Sequence, residues 1–360
     1  MAYITLNRKK LSENFKYLTE LFSSEGIQWA IVTKVLCGNR IFLEEVVRLG
    51  VNQLCDSRIT NLRAIKKIDP KIETIYIKPP PSRSIPELVK YADISVNTQF
   101  KTIKLISEEA LRQNKIHKIL IMIEMGELRE GVMRDDFMQF YEKVFELPNI
   151  EVVGIGTNLT CLYGVLPNHD KLIQLSLYEQ LVEAKFNKKI PYVSGGSSVS
   201  IPLIFEKLLP KGINHFRVGE TLFLGTDVYH DTTLGNMHNA FELYAEIIEL
   251  IEKPTVPSGS MGTNVEGHSF EFEEDEAGKT SFRAILDLGL LDVEINHITP
   301  VDPDIKFAGS SSDMIVLNLG INKNKYRTGD LVKFSVDYMG MLRIMNSRYI
   351  DKKVIGGTEE

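Results

Sequence analysis

The sequence lacks any apolar run long enough to cross a bilayer, which excludes a membrane-spanning helix. It also lacks a basic excess: 42 lysines and arginines against 48 aspartates and glutamates leave a net charge of −6, and this argues against a nucleic-acid surface. Cysteine is scarce. Cys37, Cys55 and Cys161 are odd in number, far apart and without metal-ligand spacing, so reduced thiols are expected, with no disulfide framework and no metal centre. The opening Met1-Ala-Tyr-Ile-Thr-Leu-Asn7 has neither the basic start nor the long apolar core of a signal peptide. No low-complexity linker is evident. Together these absences predict a cytoplasmic protein with neither nucleic acid nor membrane as a partner. What is present is ordinary globular composition, 43% hydrophobic and 25% charged, in a 360-residue chain too long for one small core.

Two periodicities divide the chain. A strand is expected over 3–6 and a helix over 8–22, where Leu11, Phe15, Leu18 and Phe22 share one face. Short apolar strands follow at 29–34, 52–55, 73–77, 92–96, 118–124, 151–157, 190–194 and 213–217. Amphipathic stretches at 40–50, 58–68, 99–113, 135–147 and 169–187 lie between them. Eight near-continuous apolar strands alternating with helices predict a parallel (β/α)8 TIM barrel. After about residue 236 the pattern changes to strands at 241–251, 283–289, 314–319, 331–336 and 341–345, separated by Gly, Asn and Asp turns with no helix. The expected domains are a barrel over 8–235 and a smaller C-terminal all-β domain over 236–360 that includes the strand at 1–7. The acidic run Glu271-Phe-Glu-Glu-Asp-Glu276 reads as a solvated hairpin loop rather than a metal site.

Candidate chemistry collects at the C-terminal strand ends, where barrel enzymes hold their sites. The first strand runs into a lysine in Trp29-Ala-Ile-Val-Thr-Lys34-Val-Leu-Cys-Gly-Asn39. Lysine is rarely buried without a partner or a chemical task. An amine kept neutral by desolvation is what a Schiff base with an aldehyde cofactor requires. Considered alone, a lysine at a strand end more often reaches out to solvent. The seventh strand ends in Ser194-Gly-Gly-Ser-Ser198 ahead of an apolar stretch that can open a helix. Glycines let backbone approach an oxyanion, and hydroxyls and free N–H groups donate to it. The eighth strand ends in His215-Phe-Arg217-Val-Gly219-Glu220. Arg217 keeps its proton, so beside a heteroaromatic ring it would donate to a ring nitrogen; a salt bridge within the barrel is the competing reading. A closed barrel puts strand eight beside strand one, so lysine and phosphate loops bracket one mouth. A cofactor with an aldehyde and a phosphate, pyridoxal 5′-phosphate (PLP), fits that span.

At these residues the sequence resembles the fold-type III PLP enzymes, the alanine racemase-like family. The resemblance is carried by Val32-Thr-Lys34, Gly195-Gly-Ser-Ser198 and Arg217-Val-Gly-Glu-Thr-Leu-Phe-Leu-Gly225, and it extends to Gly309-Ser-Ser-Ser-Asp313 and Asp337-Tyr338. Through Glu124-Met-Gly-Glu-Leu-Arg129-Glu-Gly131 and Thr157-Asn-Leu-Thr-Cys161 it is most similar to the group containing ornithine racemases. The resemblance implies that Lys34 forms the Schiff base and transfers a proton. It implies that Arg217 faces the pyridine nitrogen and that Asn158 lies near the ring. Gly196, Ser197 and Ser198 would form the phosphate loop, with Gly219, Glu220 and Tyr338 also reaching the phosphate. Arg129 would approach the substrate carboxylate. A homodimer is implied, each site completed by the partner's β domain.

Two positions depart from the family pattern. Gly38 stands where alanine racemases place a phosphate-binding tyrosine, and Leu290 stands where they place their second catalytic base. A leucine carries no proton. Asp313 is therefore the candidate second base, with Ser312 beside it as a substrate contact, although a tight turn stabilised by these side chains reads equally well. Glu127 and Glu130 would add negative charge around Arg129 and suit a basic substrate. The expected function is a PLP-dependent racemase acting on a basic amino acid such as ornithine or lysine. A non-catalytic PLP-binding protein and a PLP-dependent lyase or decarboxylase are the alternatives.

Overall fold

Strand β1 (Tyr3–Asn7) and helix α1 (Arg8–Ser24) open the chain, and Leu11, Leu18 and Phe22 are buried along the helix as their spacing requires. The computed structural model describes residues 2–263, 267, 269, 271–272 and 277–356. The chain divides into two units, Lys9–His238 and Met1–Arg8 with Asn239–Glu360.

The larger unit contains parallel strands β2 (Gln28–Val32), β3 (Gln53–Asp56), β4 (Glu73–Tyr76), β5 (Ile94–Asn97), β6 (His117–Met122), β7 (Ile150–Gly156), β8 (Tyr192–Ser194), β9 (Gly196–Ser197) and β10 (His215–Val218). Their order is β8-β7-β6-β5-β4-β3-β2-β10-β9. β8 and β9 are halves of one strand interrupted at Gly195. The first half pairs with β7 and the second with β10, which brings the barrel to closure as the strand count predicts. Ala30, Val32, Ile94, Val96, Leu120 and Met122, spaced by two along their strands, form a buried cluster with Cys55, Ile75 and Val153.

Helices α2 (Arg40–Arg48), α3 (Ile59–Ile68), α4 (Ile85–Tyr91), α5 (Phe100–Arg112), α6 (Phe137–Phe145) and α7 (His169–Phe186) connect the strands, followed by the short α8 (Pro202–Phe205) and α9 (Glu220–Leu224). Asn39 and Asn168 cap α2 and α7, accepting from Phe42 N at 3.1 Å and Lys171 N at 2.9 Å. Phe22 packs in tilted geometry against Trp29 and Phe216, with ring centroids 5.4 Å and 5.1 Å away. The Phe216 ring in turn forbids a side chain at Gly196, where a Cβ would stand 2.2 Å from it. Among the described residues no helix is long and apolar enough to cross a membrane.

On α7, burial and the neighbouring Glu183 carboxylate push the Glu179 carboxyl up from 4.5 to about 7. A carboxyl raised on folding contributes stability only while protonated, so its contribution is present below pH 4.5 and lost as pH rises through about 7. A Glu179→Gln variant is therefore expected to lose fewer degrees of melting temperature than the parent between about pH 5 and about pH 8, read by thermal denaturation at each pH. Equal losses in both proteins would count against the assignment.

After a small hairpin of β11 (Thr226–Asp227) and β12 (Thr232–Thr233) the chain enters the second unit, with β13 (Phe241–Pro254), β14 (Thr280–Leu286), β15 (Ile298–Pro300), β16 (Lys306–Ser310), β17 (Ile315–Asn318), β18 (Leu331–Val336), helix α10 (Tyr338–Asn346) and β19 (Asp351–Ile355). The sheet runs β15-β18-β13-β14-β17-β16, and β1 lies antiparallel to β13 and parallel to β19. Phe241, Leu243, Ala245 and Ile247 are buried with period two along β13. One expectation is corrected: 341–345 is helical. Met341, Ile344 and Met345 are buried at helical spacing, and Asp337 caps the helix by accepting from Gly340 N at 2.8 Å. A five-residue apolar stretch fits either period, and the cap decides it. Residues 273–276 of the acidic run expected as a hairpin loop lie outside the described residues.

Candidate active site

β2 stops at Val32, two residues before the lysine. Thr33 N donates to Cys55 O at 2.8 Å, and Thr33 Oγ1 donates to Asp56 Oδ2 at 2.9 Å. The chain then enters a 3₁₀ turn over Lys34–Leu36, closed by Cys37 N donating to Lys34 O at 3.1 Å. Lys34 is half-buried, on a turn beyond the strand, and this corrects the expectation of a buried strand end. Asp56, which sequence reasoning passed over, anchors the turn. Its carboxylate also accepts from Arg58 N at 2.9 Å and Asn61 Nδ2 at 3.0 Å. Burial pushes this carboxyl above its ordinary pKa, against the pull of those hydrogen bonds. The Asn61 side chain also explains Gly38: φ is +73° there and a Cβ would stand 2.5 Å from Asn61 Oδ1, so a tyrosine is excluded without rebuilding the turn.

Arg217 lies on β10, which pairs with β2 so that Arg217 is opposite Ala30 and Val218 opposite Ile31. Its guanidinium is buried. Nη1 donates to Ser194 O at 3.0 Å and to Ser194 Oγ, and Nη2 donates to Thr157 O at 2.7 Å. The expected competing salt bridge is not what holds it; neutral oxygens are. Burial lowers its pKa, but a guanidinium still keeps its proton in a protein. Three of its five N–H groups are fixed by these bonds, which orients the remaining two.

Past the strand ends, Ser198 opens a 3₁₀ turn over Ser198–Ser200, and its Oγ accepts from Gly219 N and Thr221 N, both at 3.4 Å. These long contacts gather a hydroxyl and backbone N–H groups beside Ser197, the partner of Arg217 in the β9–β10 register. Gly219 is closely approached, since a Cβ there would stand 3.0 Å from Val32 O. Glu220 begins α9, and its carboxylate accepts from Thr226 Oγ1 at 3.4 Å.

The two motif loops after β6 and β7 are organised by carboxylates. Glu124 Oε1 accepts from Gly126 N at 2.5 Å and Leu128 N at 3.0 Å. Glu127, 1% exposed, accepts from Thr160 N at 3.2 Å, Tyr163 N at 3.0 Å, Val165 N at 3.0 Å and Leu162 N. Those N–H groups hold its pKa below the ordinary carboxylate value despite burial. Arg129 forms an ion pair with Glu130, which raises the guanidinium's pKa further. The Asn158 amide places its oxygen toward Arg129, accepting from Nη2 at 2.5 Å and Nη1 at 3.2 Å. Glu130 thus places negative charge beside Arg129 by pairing with it, while the Glu127 carboxylate is held by backbone N–H groups. Gly131 is fixed by the same packing, because a Cβ would stand 2.3 Å from Glu124 N.

The remaining expected site residues belong to the smaller unit. Ser312 and Asp313 are exposed in the turn between β16 and β17, with Ser312 Oγ donating to Asp313 Oδ2 at 3.1 Å. Leu290 N donates to Ser311 O at 2.9 Å and Leu291 N to Ser312 O at 3.0 Å. Gly289 is so close that a Cβ would stand 2.4 Å from Ser312 O. Position 290 and Asp313 are therefore neighbours, a proximity that their separation in sequence conceals. Tyr338 is half-buried at the start of α10. Among the described residues, no cluster of His, Cys, Asp or Glu could hold a metal ion.

Residues 6–227 match the family described as "Alanine racemase, N-terminal domain". The chain belongs to that family. It is 35% identical to an ornithine racemase of Acetoanaerobium sticklandii over 354 residues, 98% of this chain and 99% of the relative. It is 31% identical to a lysine racemase of Thermotoga maritima over 350 residues, 97% of each. An alanine racemase from Bartonella henselae with covalently bound pyridoxal phosphate shares the fold of both units, at a TM-score of 0.73 and 15% identity over 98% of this chain and 99% of that one. The family model covers the barrel, and the two racemases and the solved structure extend the likeness over the β-rich unit.

Proposed function

We propose that this protein is a PLP-dependent amino-acid racemase acting on a basic amino acid, ornithine or lysine. The carrying observation is the pairing of β2 with β10, which sets the Lys34 turn and the buried Arg217 on neighbouring strands. The residues present fit the cofactor: an amine for its aldehyde, a fixed cation for its ring nitrogen, and Ser198 with the Gly219 and Thr221 N–H groups for its phosphate. When bound, PLP supplies an electron sink that acidifies the substrate Cα–H bond. Lys34 would accept or return the Cα proton on one face. Arg217 would donate to the ring nitrogen and, keeping its own proton, leave that nitrogen unprotonated, which disfavours transamination. The choice of a basic substrate is supported by full-length identity to an ornithine and a lysine racemase.

The second face needs a proton carrier that Leu290 cannot supply. Asp313 is the candidate, supported by its position beside residue 290, in a site completed by the β unit of a second copy in a homodimer. Tyr338 and Ser312 would join it, at the phosphate and the substrate respectively, with Asn158 and Arg129 contributed by the barrel loops. The three cysteines are free thiols, which agrees with a reducing cytoplasm. Incubation with PLP and L-ornithine or L-lysine in deuterium oxide is expected to yield the D-enantiomer carrying deuterium at Cα. Carbon dioxide release would replace the racemase reading with a decarboxylase, and absence of turnover over an amino-acid panel would replace it with a PLP carrier.

A further inference from the structure

Five strands carry polar side chains at their N-terminal ends, across the barrel from the candidate site. Gln53 begins β3, Glu73 begins β4, Tyr192 begins β8 and His215 begins β10, while Lys118 is second in β6. Lys118 Nζ donates to Glu73 Oε1 at 3.0 Å. Gln53 Nε2 donates to Glu73 Oε2 at 2.6 Å and to Tyr192 OH at 3.1 Å. His215 Nε2 lies 3.2 Å from Gln53 Oε1, and His215 Nδ1 lies 2.6 Å from Ser194 Oγ. Ser194 Oγ accepts from Arg217 Nη1.

Hydrogen-bond polarity makes this a one-way chain. An ionised carboxylate only accepts, so Glu73 fixes the Gln53 amide with its nitrogen outward and its oxygen toward His215. That oxygen can only accept, so His215 carries its proton on Nε2 and presents a bare Nδ1. Nδ1 draws the single Ser194 hydroxyl proton, which leaves Ser194 Oγ with lone pairs directed at Arg217. With the opposite tautomer, His215 and Arg217 would both donate to Ser194 Oγ, and the hydroxyl proton would lose Nδ1 as its acceptor and no longer be fixed by the chain. Burial supports the neutral form, pushing His215 down to about 3 with the Arg217 charge acting in the same direction.

We infer that Glu73, Gln53, His215 and Ser194 form a positioning relay that locks Arg217 in the orientation it needs toward the cofactor ring. Gln53 and His215 act through Ser194 and are positioning residues. Polar layers at this end of a barrel commonly serve stability alone, so the test must read something stability does not move. The inference rests on the reading that Arg217 meets the ring, but the tautomer of His215 can be measured without it. Failure of the relay is therefore distinguishable from failure of the proposed function.

Nitrogen-15 correlation spectra of the full-length protein are expected to show His215 neutral with its proton on Nε2. In the PLP-loaded enzyme, Gln53→Leu and His215→Leu should each lower the ratio of racemisation to pyridoxamine 5′-phosphate formation by about tenfold. His215→Gln, whose amide keeps a donor and an acceptor, should recover most of that ratio. Glu73→Gln, at the half-exposed end of the chain, frees the Gln53 amide to turn and should shift both the tautomer and the ratio in the same direction, by less. A proton found on Nδ1 in the parent protein would overturn the relay. So would unchanged product ratios in folded Leu variants or, should those variants not fold, an unchanged tautomer and ratio in Glu73→Gln.

Discussion

A Lys34→Ala enzyme is expected to lose racemisation by more than about 1,000-fold and to lose the visible absorbance of covalently held PLP. The size follows from what the position supplies. In the proposed reaction the lysine would both anchor the cofactor aldehyde and move a proton at Cα, so its removal would eliminate one covalent and one acid–base contribution at once. Lys34 is the one lysine of the turn sequence 33–39. Lys171, on α7 and several strands away from β2, donates its ammonium to Met125 O at 2.8 Å. Noncovalent binding should persist, because Arg217 and the Ser198 donor set are built from other strands. Retention of a borohydride-reducible cofactor band in the variant would move the assignment to another lysine.

Asp313→Asn is expected to divide the two directions of the reaction. Cα-deuterium exchange starting from one enantiomer should fall by about 100-fold or more, while exchange from its mirror image is largely kept and PLP affinity is unchanged. The asymmetry would arise because each enantiomer offers its proton to a different face, and in the proposed reaction Lys34 serves only one. The structural support is local. Gly289 permits the 289–292 turn to lie against 311–313, so Asp313 lies beside Leu290, whose side chain carries no proton. Equal loss in both directions together with cofactor release would reduce Asp313 to the Ser/Asp turn that its hydrogen bond with Ser312 also describes.

The strand count, the helix faces and the mouth residues were legible in the sequence because each depends on local pattern. Apolar runs of barrel strands, the i, i+3, i+4 spacing of α1, and a Gly/Ser loop after the seventh strand are all readable within a short window. His215 and Arg217 stand two apart and must share a strand face, so even part of the relay carried a sequence signal. Where local pattern was ambiguous the reading failed. Met341 to Met345 fits a strand or a helix, and only the Asp337 cap and the burial of Met341, Ile344 and Met345 select the helix. Composition likewise shows the carboxylates of Glu127 and Glu130 but not who donates to them: backbone N–H groups for the first and Arg129 for the second.

What the sequence determined by itself was the alternating order of elements and the chemical types gathered at the strand ends, because periodicity and turn chemistry act between near neighbours. What only the tertiary structure decided was pairing across long separations. Asp56 holding Thr33 beside the lysine, Asn61 closing the space at Gly38, Ser194 and Thr157 fixing Arg217, and Gly289 bringing position 290 against Asp313 all join residues far apart along the chain or hidden by steric exclusion. Such contacts depend on strand register and on which way an amide or hydroxyl points, and those are fixed only when the barrel closes and each buried donor must find its acceptor.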